Sequence, residues 1–359
     1  MKIIVYLGTG GVGKTSVAAA SALALARTGV RSMVITTDPS LRLRTALGLA
    51  DGVTDQQVPL PDLPSSQDAT RASVVGGPEK PAGELWAALL DVRATLDEAV
   101  RLYAKPGMAQ RILDHPIYAT IASSLVGMQE LMAVERIDQL RLRGFDHIIV
   151  DTAPSRHAFE ILDKPALFAD LSSSRKVKLV GRTYKFIAAL GLQTIGRSAI
   201  DIYAKAEEIL GVNLVRQVLD FYSIFYPIAE GYSRRAERTV AMLRDPNVTE
   251  FRVVTTPQKA MRDAAFFTEA LGERHFPIGA ICVNRAWLHA SPEPLPGGLS
   301  GDVLGWYRAV SESHRAAVWS LKEAYGNQVR DIQVFSELER DVDGIPALDI
   351  LARQIHLPD

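Results

Sequence analysis

"IIVYLGTGGVGKTS", residues 3–16, decides the fold. The apolar run Ile3 to Leu7 leads directly into Gly8, Thr9, Gly10, Gly11, Val12, Gly13, Lys14 and Thr15, and an alanine-rich segment follows. Strand, glycine-rich turn and helix in that order fit G-x-x-x-x-G-K-[ST] in the context the pattern requires. Glycines let the chain curl so that successive N–H groups point inward at phosphate oxygens, and the start of the next helix adds favourable potential for negative charge. In such a cradle Lys14 reaches the β- and γ-phosphates, and the Thr15 hydroxyl holds Mg²⁺. The motif alone does not say whether the nucleotide is hydrolysed, used to phosphorylate something, or sensed.

Further along the chain, short β-branched runs recur at the spacing of an α/β protein: "RSMVITT", "ELWAALL", "FDHIIV", "FRVVTT", "GAICVN" and "RDIQVF". Several are apolar almost throughout, as strands covered on both faces are. Helical segments lie between them; "TSVAAASALALARTG" is expected to stop at Gly29 and "QKAMRDAAFFTEALG" at Gly272. The fold class is therefore a P-loop NTPase-type α/β fold, a mainly parallel sheet with helices on both faces. Residues 51–83, rich in proline, glycine and serine, are expected to be a long surface connection. Residues 92–144 and 157–245 read as a helical subdomain set into a nucleotide-binding core of about 1–91, 145–156 and 246–359.

A P-loop needs an acidic group near its metal, and two aspartates follow strands. "VITTDPS" places Asp38, and "FDHIIVDTAPSRHAFE" places Asp151, at the carboxyl edge of the sheet, where open α/β folds bind ligands. Turn or helix-capping aspartates are the bland alternative for both.

In this order and spacing, "GTGGVGKTS", "TTDPS" and "VDTAPSRHAFEIL" resemble the cradle and two switch segments of the arsenical-pump ATPase family, which includes the guided-entry factors. "LVGMQELMAVERI", "CVNRA" and "FSELERDVDGIPAL" extend the resemblance over nearly the whole chain. It implies ATP or ADP with Mg²⁺ as ligands, and a dimer, either of like chains or paired with a relative. Gly10, Gly11, Val12, Gly13, Lys14, Thr15 and Ser16 would bind phosphates, while Asn284 and the Phe335 loop would meet the base. Thr15, Asp38 and Asp151 would serve the metal, and Lys14, Asp38 and Asp151 the chemistry. Pro154 and His157 would belong to the switch that follows phosphate state.

The chain also departs from that family. Thr9 stands where the family carries a second cradle lysine, and Thr45 where guided-entry factors carry a water-orienting aspartate. Arg156 and Ala158 replace the usual glycine and threonine, and Arg156 is either a surface side chain or a replacement cation. Slow ATP turnover by the isolated protein is the expectation.

Composition narrows the partners. The 359 residues carry a formal net charge of −1, so no whole-protein field attracts nucleic acid or an anionic membrane. The single cysteine, Cys282, leaves no internal disulfide, argues against arsenite as a ligand, and supplies no C-x-x-C pair for a structural zinc. The initial apolar run is too short for a secretory signal, and no run approaches the roughly 20 apolar residues of a membrane span, so a cytoplasmic protein is expected. Residues 172–197 carry six basic and no acidic side chains among apolar ones, which suits an anionic bilayer or a hydrophobic client, or a core helix with a solvated edge. "VLDFYSIFYPIAEGY" is more apolar still, and Pro227 predicts a break or kink there. Three functional readings follow: an ATP-driven switch for a hydrophobic client or membrane component, a low-activity nucleotide-sensing subunit, and an anion-pump ATPase subunit.

Overall fold

The computed structural model describes residues 1–38, 42–49, 55–60, 83–123, 129–153, 212–288 and 301–357. Strands β1 (Lys2–Leu7), β2 (Arg31–Thr36), β4 (Glu84–Leu89), β5 (His147–Asp151), β6 (Thr249–Thr255), β7 (Ile278–Ala286) and β8 (Asp331–Ser336) coincide with the apolar runs. With β3 (Asp55–Val58) they form one sheet in the order β3-β4-β2-β5-β1-β6-β7-β8. Every pairing is parallel except that of β3 with β4.

From β1 the chain runs through α1 (Lys14–Arg27) to β2 on one side, whereas β6, β7 and β8 extend the sheet on the other. The carboxyl end of β1 is thus a topological switch point, the position where such sheets open a crevice. Right-handed crossovers running in opposite directions place α1 on one face and α8 (Ala260–Glu273), between β6 and β7, on the other. Alternation along β1 agrees. Ile4 and Tyr6 pack with Val17, Leu23 and Leu25 of α1, and Ile3, Val5 and Leu7 are equally buried on the opposite face.

Helix α1 stops where its sequence predicts, with Gly29 at a φ of 93° just past the Thr28 cap. Helix α8 does not. It passes through Gly272 to Glu273, and His275 takes the left-handed position at a φ of 58°. The Phe276 N–H then donates to Leu271 O (3.0 Å) and the His275 N–H to Gly272 O (3.1 Å), the paired bonds of a Schellman cap. The long connection also holds a strand the apolar pattern missed. β3 is polar, "DQQV", and stands at the sheet edge with Asp55 paired to Arg143. Residues 61–82 of the connection lie outside the described residues.

By contacts the chain divides into two compact units, residues 1–90, 140–158 and 241–359, and residues 91–139 and 159–240. The first contains the sheet; α9 (Gly301–Tyr325) packs there on α8, and α10 (Gly344–Ala352) on α1 and on α2 (Arg42–Leu47). Described residues of the second are helical: α3 (Val92–Tyr103), α4 (Ala109–Leu113), α5 (Pro116–Ser123), most of α6 (Gln129–Arg141) and most of α7 (Val212–Arg244). Helix α7 runs through Pro227, so of the expected break or kink the break does not occur. A proline costs one N–H bond and crowds one turn. Phe221 stacks on Phe225, Ile228 is buried, and Tyr232 donates to Leu131 O (2.9 Å), so packing on both sides of Pro227 holds the helix together. A second anchor is polar: Arg235 lies 3.2 Å from Glu135, whose side chain is fully buried, and Arg238 lies 2.9 Å from the buried Asp138. Residues 172–197 lie outside the described residues, and no described helix is long and apolar enough to cross a membrane.

Candidate functional site

Local sterics explain why the loop between β1 and α1 is glycine-rich. A Cβ on Gly8 would stand 2.3 Å from the Val254 carbonyl of the neighbouring strand, and one on Gly13 2.3 Å from Asn284 Nδ2. Gly11 and Gly13 adopt φ of 79° and 87°, a region that favours glycine. Helix α1 then begins without a side-chain cap and without an acidic residue in its first turn, while a lysine occupies its first position. Its first N–H groups are orphan donors at a positive helix end, a state an anion relieves.

Lys14 is 7% exposed and folds back over the loop, its Nζ donating to Thr9 O at 3.1 Å. Burial draws its pKa below the usual lysine value, while Asp151 and Asp38 oppose that shift and Arg42 adds to it. The ammonium is thus held where phosphate oxygens would replace a carbonyl partner.

Asp151 ends β5 in register with Tyr6 of β1 and Thr36 of β2, in the middle of the sheet edge. Its Oδ2 accepts hydrogen bonds from the Thr15 hydroxyl (2.8 Å) and the Thr36 hydroxyl (2.9 Å). Its Oδ1 is buried without a hydrogen-bond partner among the described residues. Burial raises this carboxyl to about 6, although the two hydroxyls and Lys14 pull the other way. The end of β2 is tied in as well: Asp38 N donates to Thr36 Oγ1 (3.2 Å), and Ala153 N to Thr37 Oγ1 (3.2 Å).

A cavity of about 630 Å³ opens above this edge. Gly11, Gly13, Lys14, Thr15, Ser16 and Asp38 line one end, joined by Arg42 and Thr45 of α2; Asn284 and the segment Ser336 to Leu338 line the other. Asn284 donates from Nδ2 to Val12 O at 3.0 Å, which fastens β7 to the loop. There β7 shifts register against β8 between Val283 and Ala286, and Arg285 has a φ of 60°. A left-handed non-glycine residue of this kind is a mark of functional sites.

Four expected contacts are placed differently. Phe335 does not line the cavity: it is fully buried in the core with α1 and α10, and Ser336, Glu337 and Leu338 present the wall instead. Val12 is buried in the same core and offers the site only its backbone, and Gly10 is not among the cavity residues. Asp151 lies beneath the cavity, behind Thr15, whereas Asp38 faces into it. Pro154, Arg156, His157 and Ala158 lie outside the described residues.

The structure adds partners the sequence did not single out. Thr9 is committed to Asp263: its hydroxyl donates to Oδ2 at 3.0 Å, beside Thr255 at 2.9 Å. Lys259 Nζ donates to Gly10 O at 3.3 Å. Strand-end hydroxyls such as Thr36 and Thr255 were the available signal, but their partner lies eight to 115 residues away in sequence. Cys282 is fully buried in β7, and burial pushes its thiol up to about 12.

The residues present fit a magnesium nucleotide. Thr15 spends its hydroxyl proton on Asp151 and so keeps oxygen lone pairs for a cation, Asp151 Oδ1 lacks a partner among described residues, and the open α1 end receives phosphate. Sheet order, glycine cradle and strand-end aspartates together define a P-loop nucleotide-binding α/β protein. More narrowly, the chain belongs to the Anion-transporting ATPase family, whose profile matches residues 1–296.

Relatives agree at low identity. The chain is 28% identical over 176 residues to the Arsenical pump-driving ATPase of Escherichia coli, covering 47% of this chain and 26% of that protein. It is 25% identical over 300 residues to ATPase ARSA1 of Chlamydomonas reinhardtii, covering 79% and 34%. With Protein Rv2184c of Mycobacterium tuberculosis it is 30% identical over 171 residues, covering 46% and 38%. The matched parts thus span between about a quarter and two fifths of these three proteins.

Proposed function

We propose that the chain binds ATP with magnesium in the cavity at the end of β1 and hydrolyses it, and that nucleotide state controls binding of a hydrophobic client or membrane component. The uncapped, lysine-led start of α1, with Gly11 and Gly13 in left-handed geometry, carries the reading. In the proposed complex the amides of residues 10–16 and Lys14 hold the phosphates, Thr15 and Asp38 face the metal, and Asp151 orients Thr15 from beneath. Magnesium supplies charge neutralisation on the phosphate oxygens when bound. Asp38 is the carboxylate that lines the cavity together with Lys14 and Thr15, and in this reading it orients water; Asn284 and the wall of residues 336–338 receive the base. A dimer, of like chains or with a relative, and a cytoplasmic setting belong to the same proposal. So does a division of labour between a nucleotide core of about 1–91, 145–156 and 246–359 and the helical remainder.

Calorimetry with Mg-ATP and phosphate release, on the parent and on Lys14→Ala, test this reading. Binding that weakens at least ~100-fold in the variant is expected, because a buried charge-assisted contact and its geometry are both removed. No heat from the parent would overturn it.

One observation favours the second reading, a nucleotide-sensing subunit with little catalysis. Thr9 is bound to Asp263 and brings no charge to the cavity, and Thr45 lines it without a carboxylate. If the isolated chain releases almost no phosphate but does so when mixed with a relative bearing lysine and aspartate at those positions, sensing is the better description. The anion-pump alternative draws support from the name of the E. coli relative.

A further inference from the structure

The phosphate end of the cavity contains a cation that neither the P-loop motif nor the family comparison assigns. Helix α2 is short, yet it is firmly seated: Leu43 and Leu47, one turn apart, are 0% and 3% exposed in the core that α1 and α10 share. That anchoring leaves Arg42 and Thr45, themselves one turn apart, lining the cavity with Lys14, Thr15 and Asp38. Arg42 is the cation of α2 that faces this end. Of the other arginines lining the cavity, Arg285 lies 3.8 Å from Glu337, and Arg340 belongs with Asp341 to the segment that follows β8.

The two cations of the phosphate end repel each other. Arg42 lowers the pKa of Lys14 while Asp38, on the same lining, raises it, so these charges act across one space. Asp38 offsets part of the repulsion between the two cations, and an anion entering the cavity offsets more. Thr9 adds no positive charge, since its hydroxyl is held by Asp263, and Lys259 is engaged by the Gly10 carbonyl outside the cavity lining. A terminal phosphate bound at Lys14 needs a second counter-charge, and a guanidinium suits it because its fork of donors matches phosphate oxygens.

We infer that Arg42 is a phosphate-contacting residue that reaches, within the same chain, the terminal phosphate of a bound nucleoside triphosphate. This rests on the nucleotide reading above and deepens it. An arginine delivered in cis stabilises charge on a transferring phosphoryl group in the same way as one delivered by a partner. The consequence is selectivity: the residue distinguishes triphosphate from diphosphate, whose terminal oxygens stop short of it.

The test compares the full chain with Arg42→Ala and Arg42→Lys for Mg-ATP and Mg-ADP affinity by calorimetry, and for phosphate release in single turnover. In Arg42→Ala, ATP affinity, turnover or both fall by ~10- to 100-fold, the size of a lost charge-assisted pair, while ADP affinity stays within about 3-fold. Arg42→Lys recovers part of the loss, since it restores the charge but not the fork. Unchanged ATP-to-ADP preference and unchanged turnover in Arg42→Ala would overturn the inference while leaving parent nucleotide binding intact. Equal loss for both nucleotides would overturn it as well, and urea unfolding of the variant identifies a folding defect as the cause. A parent that binds neither nucleotide overturns the nucleotide reading and this inference together.

Discussion

Asp151→Asn should stabilise the nucleotide-free protein while it disables the site. The carboxyl is fully buried and raised from 3.8 to about 6, so at neutral pH the folded chain carries an anion it holds less comfortably than the unfolded chain does. Its two hydroxyl donors and Lys14 recover only part of the lost hydration. A shift of about two units corresponds to roughly 3 kcal/mol at 1.36 kcal/mol per unit. The direction follows from proton binding. With the folded-state pKa raised, this group favours folding most below about pH 3.8, and that contribution is lost as pH rises through about 6. Asparagine removes the charge and keeps the shape, and the Thr15 and Thr36 hydroxyls can turn to suit an amide. Urea unfolding at pH 7.5 should therefore show Asp151→Asn more stable by up to ~3 kcal/mol, and the gain should shrink below ~1 kcal/mol by pH 4. Mg-ATP turnover should be lost in the same variant. A variant no more stable than the parent at pH 7.5, or a gain indifferent to pH, would refute the claim that this carboxylate is strained by burial.

Three other outcomes are expected. Gly13→Ala should abolish nucleotide binding in a fluorescent-nucleotide titration, because a left-handed φ of 87° costs a side chain roughly 1–2 kcal/mol and its Cβ would meet Asn284 Nδ2 at 2.3 Å. Arg235→Ala should lower the unfolding free energy by about 3–5 kcal/mol in urea, since it strands the fully buried Glu135. Cys282 should resist a thiol reagent in the native protein and react fully once denatured; a native rate near that of a free thiol would contradict its burial.

Most of the sheet was legible because its strands are buried on both faces and so read as unbroken apolar runs. The cradle was legible because glycine spacing is dictated by backbone geometry, and the strand-end positions of Asp38 and Asp151 because apolar runs precede them, although only Asp38 of the two lines the cavity. What was missed lacked a local signal. β3 carries no apolar pattern and is held at the edge by pairing and by Arg143. Phe335 was assigned outward by resemblance, but alternation along β8 buries Gln333 and Phe335 and turns Ser336 toward the cavity. Gln333 tolerates that position because its Nε2 donates to the His356 carbonyl at 2.8 Å. The Thr9–Asp263 bond joins residues 254 apart, a distance no sequence window spans. Gly272 was assigned as a helix stop, and the stop falls three residues later because His275 accepts the left-handed turn.

The bond from Asn284 to the Val12 carbonyl, with Gly13 pressed close beneath the same amide, has a mechanical result. It rivets the two ends of the crevice together before anything enters. The wall that meets one end of a guest and the loop that meets the other are thus bonded directly to each other. Their spacing is set in part by that bond before a guest arrives.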